Sequence, residues 1–231
     1  MRIRIESIFV GRPQSFTSEG DSKQWTSAIF KQSVDGPVHV HCENIAGDQQ
    51  ADLVHHGGRD KAICAYAVQN YAYWIREFPE LDWKVGSFGE NLALSGVGEP
   101  DICIGDSFEV GSCLLQVSQP RQPCWKLSRR WEIPTLSVRV QQTRRTGWYF
   151  RVLREGVIKT GQTMNLISRP HPQWTIESAN EIMFAKPRND EHDQELAACS
   201  LLSTSWRETL ASRARWSEHE VIDRELRRLG N

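Results

Sequence analysis

The chain has 231 residues, with 28 Lys+Arg against 29 Asp+Glu and a formal net charge of -1 at pH 7. Near-neutrality argues against a nucleic-acid footprint spread over the whole surface and leaves room only for a local basic site. No apolar run reaches the length of a membrane span, and the alternating opening MRIRIESIFV lacks a signal peptide's apolar centre, so a cytoplasmic protein with no membrane partner is expected.

The length suits one large domain, or one domain with a small appendage. Period-two alternation or β-branched enrichment predicts strands in RIRIESIFVG, PVHVHCENI, AICAY, ENLALSG, DSFEV, CLLQVSQ, WYFRVLREG and TMNLI. Gly-containing turns such as GDQQ, GVGEPD and VGS separate many of them, which is the pattern of a barrel or sandwich. Two helices interrupt the strands. VQNYAYWIREF places Tyr71, Trp74, Ile75 and Phe78 at helical spacing before Pro79 stops it, and TLSVRVQQTRR follows Pro134 with Thr135 as candidate N-cap.

Character changes after SRPHPQW. TIESANEIMFA, NDEHDQELAACSLL and STSWRETLASRA each read as a short helix, with Asp190 and Ser203 or Thr204 as candidate N-caps. The last stretch, SEHEVIDRELRRLG, is helical by pattern but highly charged, and loose attachment or fraying is expected. The predicted organisation is a mainly β domain over residues 1–170 and a helical domain over 171–231.

The six cysteines are Cys42, Cys64, Cys103, Cys113, Cys124 and Cys199. None forms a CxxC pair, and their spacing suits neither a zinc knuckle nor a disulfide framework. Cys64, Cys103, Cys113 and Cys199 lie among apolar residues and read as small buried hydrophobes. Cys124 differs. In SQPRQPCWKL, Pro120 and Pro123 restrict the backbone around Arg121 and Cys124. Arg121, Lys126, Arg129 and Arg130 favour the thiolate, the form that binds metal or attacks carbon, and a helix starting near Trp125 would act in the same sense. A structural cysteine in a Pro-rich loop is the alternative.

Three further clusters carry possible chemistry. In DLVHHGGRDKAICAY, Gly57 and Gly58 permit close approach to the backbone, His55 or His56 can donate to an anion, and Arg59 and Lys61 can pair with phosphate. In GSFGENLALSG, Asn91 offers a donor and an acceptor to a heterocycle edge. In GWYFRVLREG, Arg151 alternates with aromatics and can point into a cavity. A solvated loop, an ordinary turn with an edge strand, and a surface arginine are the respective alternatives. His39, His41 and Cys42 lack a fourth ligand with zinc spacing and read as an exposed strand; His192 and His219 read as solvent-facing.

Taken together and in order, HHGGRDKAICAY, GSFGENL, IGDSFEVG, SQPRQPCWKL and GWYFRVLREG closely resemble the MOSC family, named for the C-terminal domain of molybdenum cofactor sulfurases. The match spans most of residues 29–168. The helices through LLSTSWRETLASR resemble the three-helix domain that follows MOSC in a bacterial subgroup associated with resistance to N-hydroxylated base analogues such as 6-N-hydroxylaminopurine.

The resemblance implies a MOSC-type β-barrel with a few helices, followed by a small C-terminal helical domain. It also implies a molybdenum cofactor (molybdopterin) whose metal is ligated by Cys124. A single protein thiolate suffices where a dithiolene supplies the other sulfurs. His56, Arg59, Lys61, Asn91, Arg121 and Arg151 are then candidates to hold pterin and phosphate, with Gly57, Gly58 and Gly89 giving backbone access. Asp60 and Glu90 would bind the pterin amino group or brace the basic residues. The implied reaction is two-electron reduction of an N–OH group in a small molecule. The chain lacks a Rossmann fingerprint, a P-loop and an Fe–S cysteine pattern, so a separate flavoprotein donor is expected. The oligomeric state expected is a monomer or weak dimer. Two other functions remain at this point: a non-redox cofactor or sulfur carrier, and a metal-free cysteine enzyme with His55 or His56 as base.

Overall fold

A computed structural model describes residues 2–17 and 24–230. Its strands are β1 Ile3–Val10, β2 Gln14–Thr17, β3 Gln24–Ser27, β4 Gln32–Ser33, β5 Val38–Val40, β6 Ile63–Ala67, β7 Leu92–Ser95, β8 Ser107–Val110, β9 Cys113–Pro120, β10 Trp148–Arg154, β11 Gly156–Ile158 and β12 Thr163–Ser168. The helices are α1 Leu53–His56, α2 Tyr71–Glu77, α3 Trp125–Trp131, α4 Leu136–Thr143, α5 Ile176–Phe184, α6 Asp190–Ala197, α7 Thr204–Arg213 and α8 Glu218–Leu229.

Seven strands run β12-β8-β9-β10-β6-β7-β1 and close into a barrel where β1 pairs with β12, Ile3 opposite Met164. The alternation of β1 shows how its sequence specifies this. Ile3 and Ile5 face inward, then the phase slips and Ile8 is the next inward residue. A register shift against β7 between Ile5 and Ser7 absorbs the extra residue, as a β-bulge does. The far end of β1 pairs with β4 instead. β6 and β7 are parallel, while the other barrel pairs are antiparallel. A parallel pair needs a crossover, and this one carries α2 and the loop leading to Asn91. The β2–β3 hairpin and β4 lie outside the strands foreseen from alternation.

Ile5, Ile63, Leu94, Phe108, Leu115 and Phe150 fill the barrel. A second, aromatic cluster of Tyr66, Trp74, Trp83 and Phe88 underlies α2, α3 and α4. Within it the Trp74 indole N–H donates to the Tyr66 hydroxyl at 2.7 Å, so burial leaves neither polar tip unsatisfied. Tyr71 and Trp74 of α2 are buried as its spacing predicts, but Ile75 is 48% exposed. Thr135 precedes α4 without a side-chain capping bond. Asn189, rather than Asp190, caps α6, and Ser203 caps α7.

The C-terminal helices do not stand apart from the barrel. Leu196, Leu202, Trp206 and Leu210 are continuous with its core, and the Ser203 amide donates to the Ser118 carbonyl of β9 at 2.9 Å. The expectation for the last stretch is overturned. α8 is closed by a Ser217/Glu220 capping box and is anchored at its far end. Arg228 donates to the Pro123 carbonyl and to Gln141, Leu229 is buried, and Gly230 sits against Trp125. A charged helix docks here because its terminal residues find carbonyl and aromatic partners, which the helix's own pattern does not reveal. No helix among the described residues is long and apolar enough to cross a membrane.

Candidate functional site

β9 delivers the SQPRQPC segment to one end of the barrel. The Arg121 amide donates to the Gly147 carbonyl at 3.0 Å, and its guanidinium Nη1 donates to the Phe88 carbonyl at 2.7 Å. Cys124 then takes an extended conformation and occupies the N-cap position of α3. Its carbonyl accepts from the Leu127 amide at 3.1 Å and from the Ser137 hydroxyl at 2.6 Å. The two helices after the bracket therefore lock the backbone that carries the thiol.

Above Cys124 lies α1, capped by Asp52, whose carboxylate accepts from the Val54 and His55 amides. The last residue of α1, His56, sets Nε2 3.5 Å from Cys124 Sγ. Its other ring nitrogen, Nδ1, is buried without a hydrogen-bond partner among the described residues. Burial and the positive charge of Lys126 push the His56 pKa down to about 4, against the pull of Asp52, and Arg121 and Lys61 act in the same downward sense.

These residues border an open cleft of about 600 Å³. Of the residues picked out from sequence, His56, Lys61, Gly89, Asn91, Arg121 and Cys124 line it. Lys61 donates to the His55 carbonyl at 2.8 Å; burial lowers its pKa while Asp60 and Asp52 counteract. Gly89 holds φ +70°, and a Cβ there would meet Ile29 Cγ1 at 2.6 Å. Both ends of the Asn91 amide are already engaged. Oδ1 accepts from the Cys64 amide at 3.0 Å, and Nδ2 donates to the Phe9 carbonyl at 3.1 Å. Asn91 thus fixes the cleft wall rather than offering its amide edge to a ligand.

Arg151, Asp60, Glu90, Gly57, Gly58 and Arg59 are not among the lining residues. Arg151 reaches away from the cleft and pairs with Asp60 at 2.8 Å, while Asp60 also accepts from the Thr204 amide at 3.1 Å. Glu90, fully buried, accepts from the Tyr71 hydroxyl and the Gly86 and Phe88 amides. Both carboxylates brace. Gly58, at φ +90°, has open space where a side chain would sit, whereas a Cβ on Gly57 would strike the Leu53 carbonyl. Arg59 is exposed on the turn that follows.

Sequence reasoning missed several lining residues. Lys31, ion-paired with Asp48, comes from the segment after the unforeseen hairpin. Lys126 had been picked out only as a neighbouring charge. Tyr149 shares a strand face with Arg151, two residues on, and it is Tyr149 that reaches the cleft. Burial raises the pKa of Tyr149 and of Cys64, which also lines the cleft. The signal for Tyr149 was the same alternation that pointed to Arg151.

The donor set can be tested against a cofactor. No group of three or more His, Cys, Asp or Glu among the described residues could hold a bare metal ion. The cleft is lined by two thiols, Cys124 and the buried Cys64 whose pKa burial raises, by the His56 imidazole, and by the cations of Lys61, Arg121 and Lys126, none of these cations in a salt bridge among the described residues. That set fits an anionic ligand carrying its metal on its own sulfur atoms.

Residues 52–165 match the model of the MOSC domain, and residues 174–213 match that of the YiiM-like, 3-alpha helix domain. The chain is 35% identical over 228 residues to Protein YiiM of Escherichia coli (strain K12), covering 98% of this chain and 99% of that one. It is 40% identical over 164 residues to a protein named Reductase from Gibberella moniliformis, covering 70% of this chain but 29% of that protein. Among solved structures, YiiM from Geobacillus stearothermophilus superimposes with a TM-score of 0.77 at 38% identity, covering 91% of this chain and 98% of that one.

Proposed function

The chain belongs to the MOSC-domain family, with a YiiM-like three-helix domain after the barrel, and on that premise we propose that it is a molybdenum-cofactor-dependent reductase of N-hydroxylated compounds. Base analogues such as 6-N-hydroxylaminopurine are the substrate class, the role is detoxification in the cytoplasm, and a separate flavoprotein supplies electrons. The observation that carries this reading is Cys124. It is a thiol at the wall of a cation-lined cleft, held by a backbone locked on both sides. The name of the Gibberella relative points towards redox chemistry as well.

In this reading Cys124 Sγ ligates the metal, and Lys61, Arg121 and Lys126 hold the anionic part of the cofactor. When bound, the cofactor supplies the two-electron chemistry, converting R–NHOH, two electrons and two protons to R–NH2 and water. Arg121, fixed to the Phe88 carbonyl, keeps its charge directed at the cleft without reorganising. Asn91 and Glu90 keep the Gly86–Gly89 wall in shape.

The test is to purify the protein, assay molybdenum, and supply reduced viologen with 6-N-hydroxylaminopurine. Metal-loaded wild type should turn over, and Cys124→Ala should lose both metal and turnover. Loaded protein without N–OH reduction would overturn the reductase reading in favour of a cofactor carrier. A Cys124→Ala variant with full activity would overturn the ligand assignment.

The 3.5 Å contact between His56 and Cys124 favours a second reading, a metal-free cysteine nucleophile with an imidazole base. Electrostatics oppose it. A thiolate–imidazolium pair requires a proton on a ring that burial, Lys126, Arg121 and Lys61 all keep neutral. Iodoacetamide labelling of Cys124 indifferent to molybdenum loading, together with hydrolase or transferase turnover, would support the nucleophile instead.

A further inference from the structure

A second and larger recess lies on the far side of the SQPRQPC segment. α8 is held at its C-terminal end by Arg228, Leu229 and Gly230 and at mid-helix by Glu225, which pairs with Lys186 and accepts from Gln141, and its N-terminal half borders a recess against the three-helix domain. The open groove between them spans about 2210 Å³. One wall carries Phe184 and Met183 from the end of α5, and the other carries Trp216, Val221 and Ile222. Ile222 is 49% exposed although it lies on the face of α8 that borders the groove. Gln122, two residues before Cys124, lies in the groove lining, so the same short segment forms the wall of the cleft and of the groove.

The charge of the groove is one-sided. Lys186, Arg188, Arg213, Arg224 and Arg228 line it, against Asp190 and Glu225. Lys186 is paired with Glu225, and Arg213 with Asp193. The other three arginines make no salt bridge among the described residues, since their partners are neutral. Arg188 donates to the Arg213 carbonyl, Arg224 lies over the Trp216 ring at 4.1 Å, and Arg228 bonds to the Pro123 carbonyl and Gln141. Glu225 acts on Arg228, Glu220 on Arg224 and Asp193 on Arg188 at longer range, and the lining as a whole keeps five basic side chains against two acidic ones. An apolar floor with a positive rim is the complement of an acidic protein surface bearing an exposed apolar element.

We propose that this groove is the docking site of the electron donor, an acidic flavoprotein that seats on α8 and the three-helix domain and delivers electrons through the Gln122–Cys124 segment. The proposal rests on the reductase reading for its meaning but is tested separately from it. The donated pair of electrons leaves the reduced flavin of the partner and is consumed, with two protons, in converting R–NHOH to R–NH2 and water.

The experiment uses the cofactor-loaded full chain, reduced flavodoxin as the protein donor, reduced viologen as the small donor, and the double variant Arg188→Glu/Arg224→Glu. Both side chains lie outside the Cys124 cleft. With viologen, the variant should turn over within twofold of wild type. With flavodoxin, its KM should rise at least tenfold, and the steep salt dependence of wild type should flatten. An unchanged flavodoxin KM with viologen turnover intact overturns the docking site. Flavodoxin affinity is measured in parallel by calorimetry at low and high salt, which needs no turnover. Saturable binding that weakens with salt and is lost in the variant supports the groove even if viologen turnover fails, a result that counts only against the reductase reading. No saturable binding to wild type, or binding equal in the variant, overturns the groove.

Discussion

His56 Nε2 rests 3.5 Å from Cys124 Sγ, joining two motifs that lie 68 residues apart in the chain. The imidazole arrives on a four-residue helix with no buried residue, and the thiol arrives on a segment fastened by two helices and two prolines. One partner is rigid and the other is held by a cap and a lysine. The contact is therefore adjustable from the histidine side.

The depressed pKa of His56 makes a stability prediction for the cofactor-free chain. As pH falls through 6.5 the unfolded chain takes up a proton on this residue, while the folded chain does so only near 4. Stability is thus lost as pH falls from about 6.5 to about 4, by up to about 3 kcal/mol. His56→Gln should remove that part of the slope, read as the difference between wild-type and variant urea midpoints across this range.

Glu90 accepts three hydrogen bonds in full burial, and Glu90→Ala would strand the Tyr71 hydroxyl and the Gly86 and Phe88 amides. The expected loss is about 3–5 kcal/mol, measured by denaturant unfolding, since each orphaned donor keeps its desolvation cost.

Gly89 combines a left-handed φ with a close approach to Ile29, itself part of the cleft lining. Gly89→Ala should cost about 1–3 kcal/mol and push Ile29 into the cleft. Molybdenum retained per chain should fall in the same variant, a readout independent of turnover.

Asp60 ties the turn after the HHGG motif to β10 through Arg151 and to the start of α7 through the Thr204 amide. Asp60→Asn keeps the size and removes the charge. It should destabilise by about 1–3 kcal/mol and speed amide exchange at Thr204, with the effect on stability shrinking in Arg151→Met, which has already lost the pair.

The strands were legible because their alternation reports burial directly, whereas the slipped phase between Ile5 and Ile8 emerges only from the pairing with β7. The short hairpin and β4 were not legible, because Phe16 and Trp25 are the hairpin strands' large apolar contributions to the aromatic cluster, too few to show a period. In the site, Cys124 stood out by its prolines and basic neighbours, and His56, Lys61 and Arg121 lie at the cleft with it. Arg151 and Tyr149 occupy the same face of β10, so alternation could not say which of them reaches the cleft and which finds Asp60. The docking of α8 depends on Pro123, Gln141 and Trp125, all remote in sequence, and no local pattern encodes such partners.

The barrel seam between Ile3 and Met164 has a kinetic consequence. β4 is a nearby partner at the far end of β1, but the barrel partners β7 and β12 lie far along the chain, and Ile3 and Ile5 are without those strands' cover until they emerge. Pairings this distant carry the largest loop-closure entropy and place the domain among slow, high-contact-order folders. The nascent chain spends its most aggregation-prone interval with its first strand waiting for nearly its last.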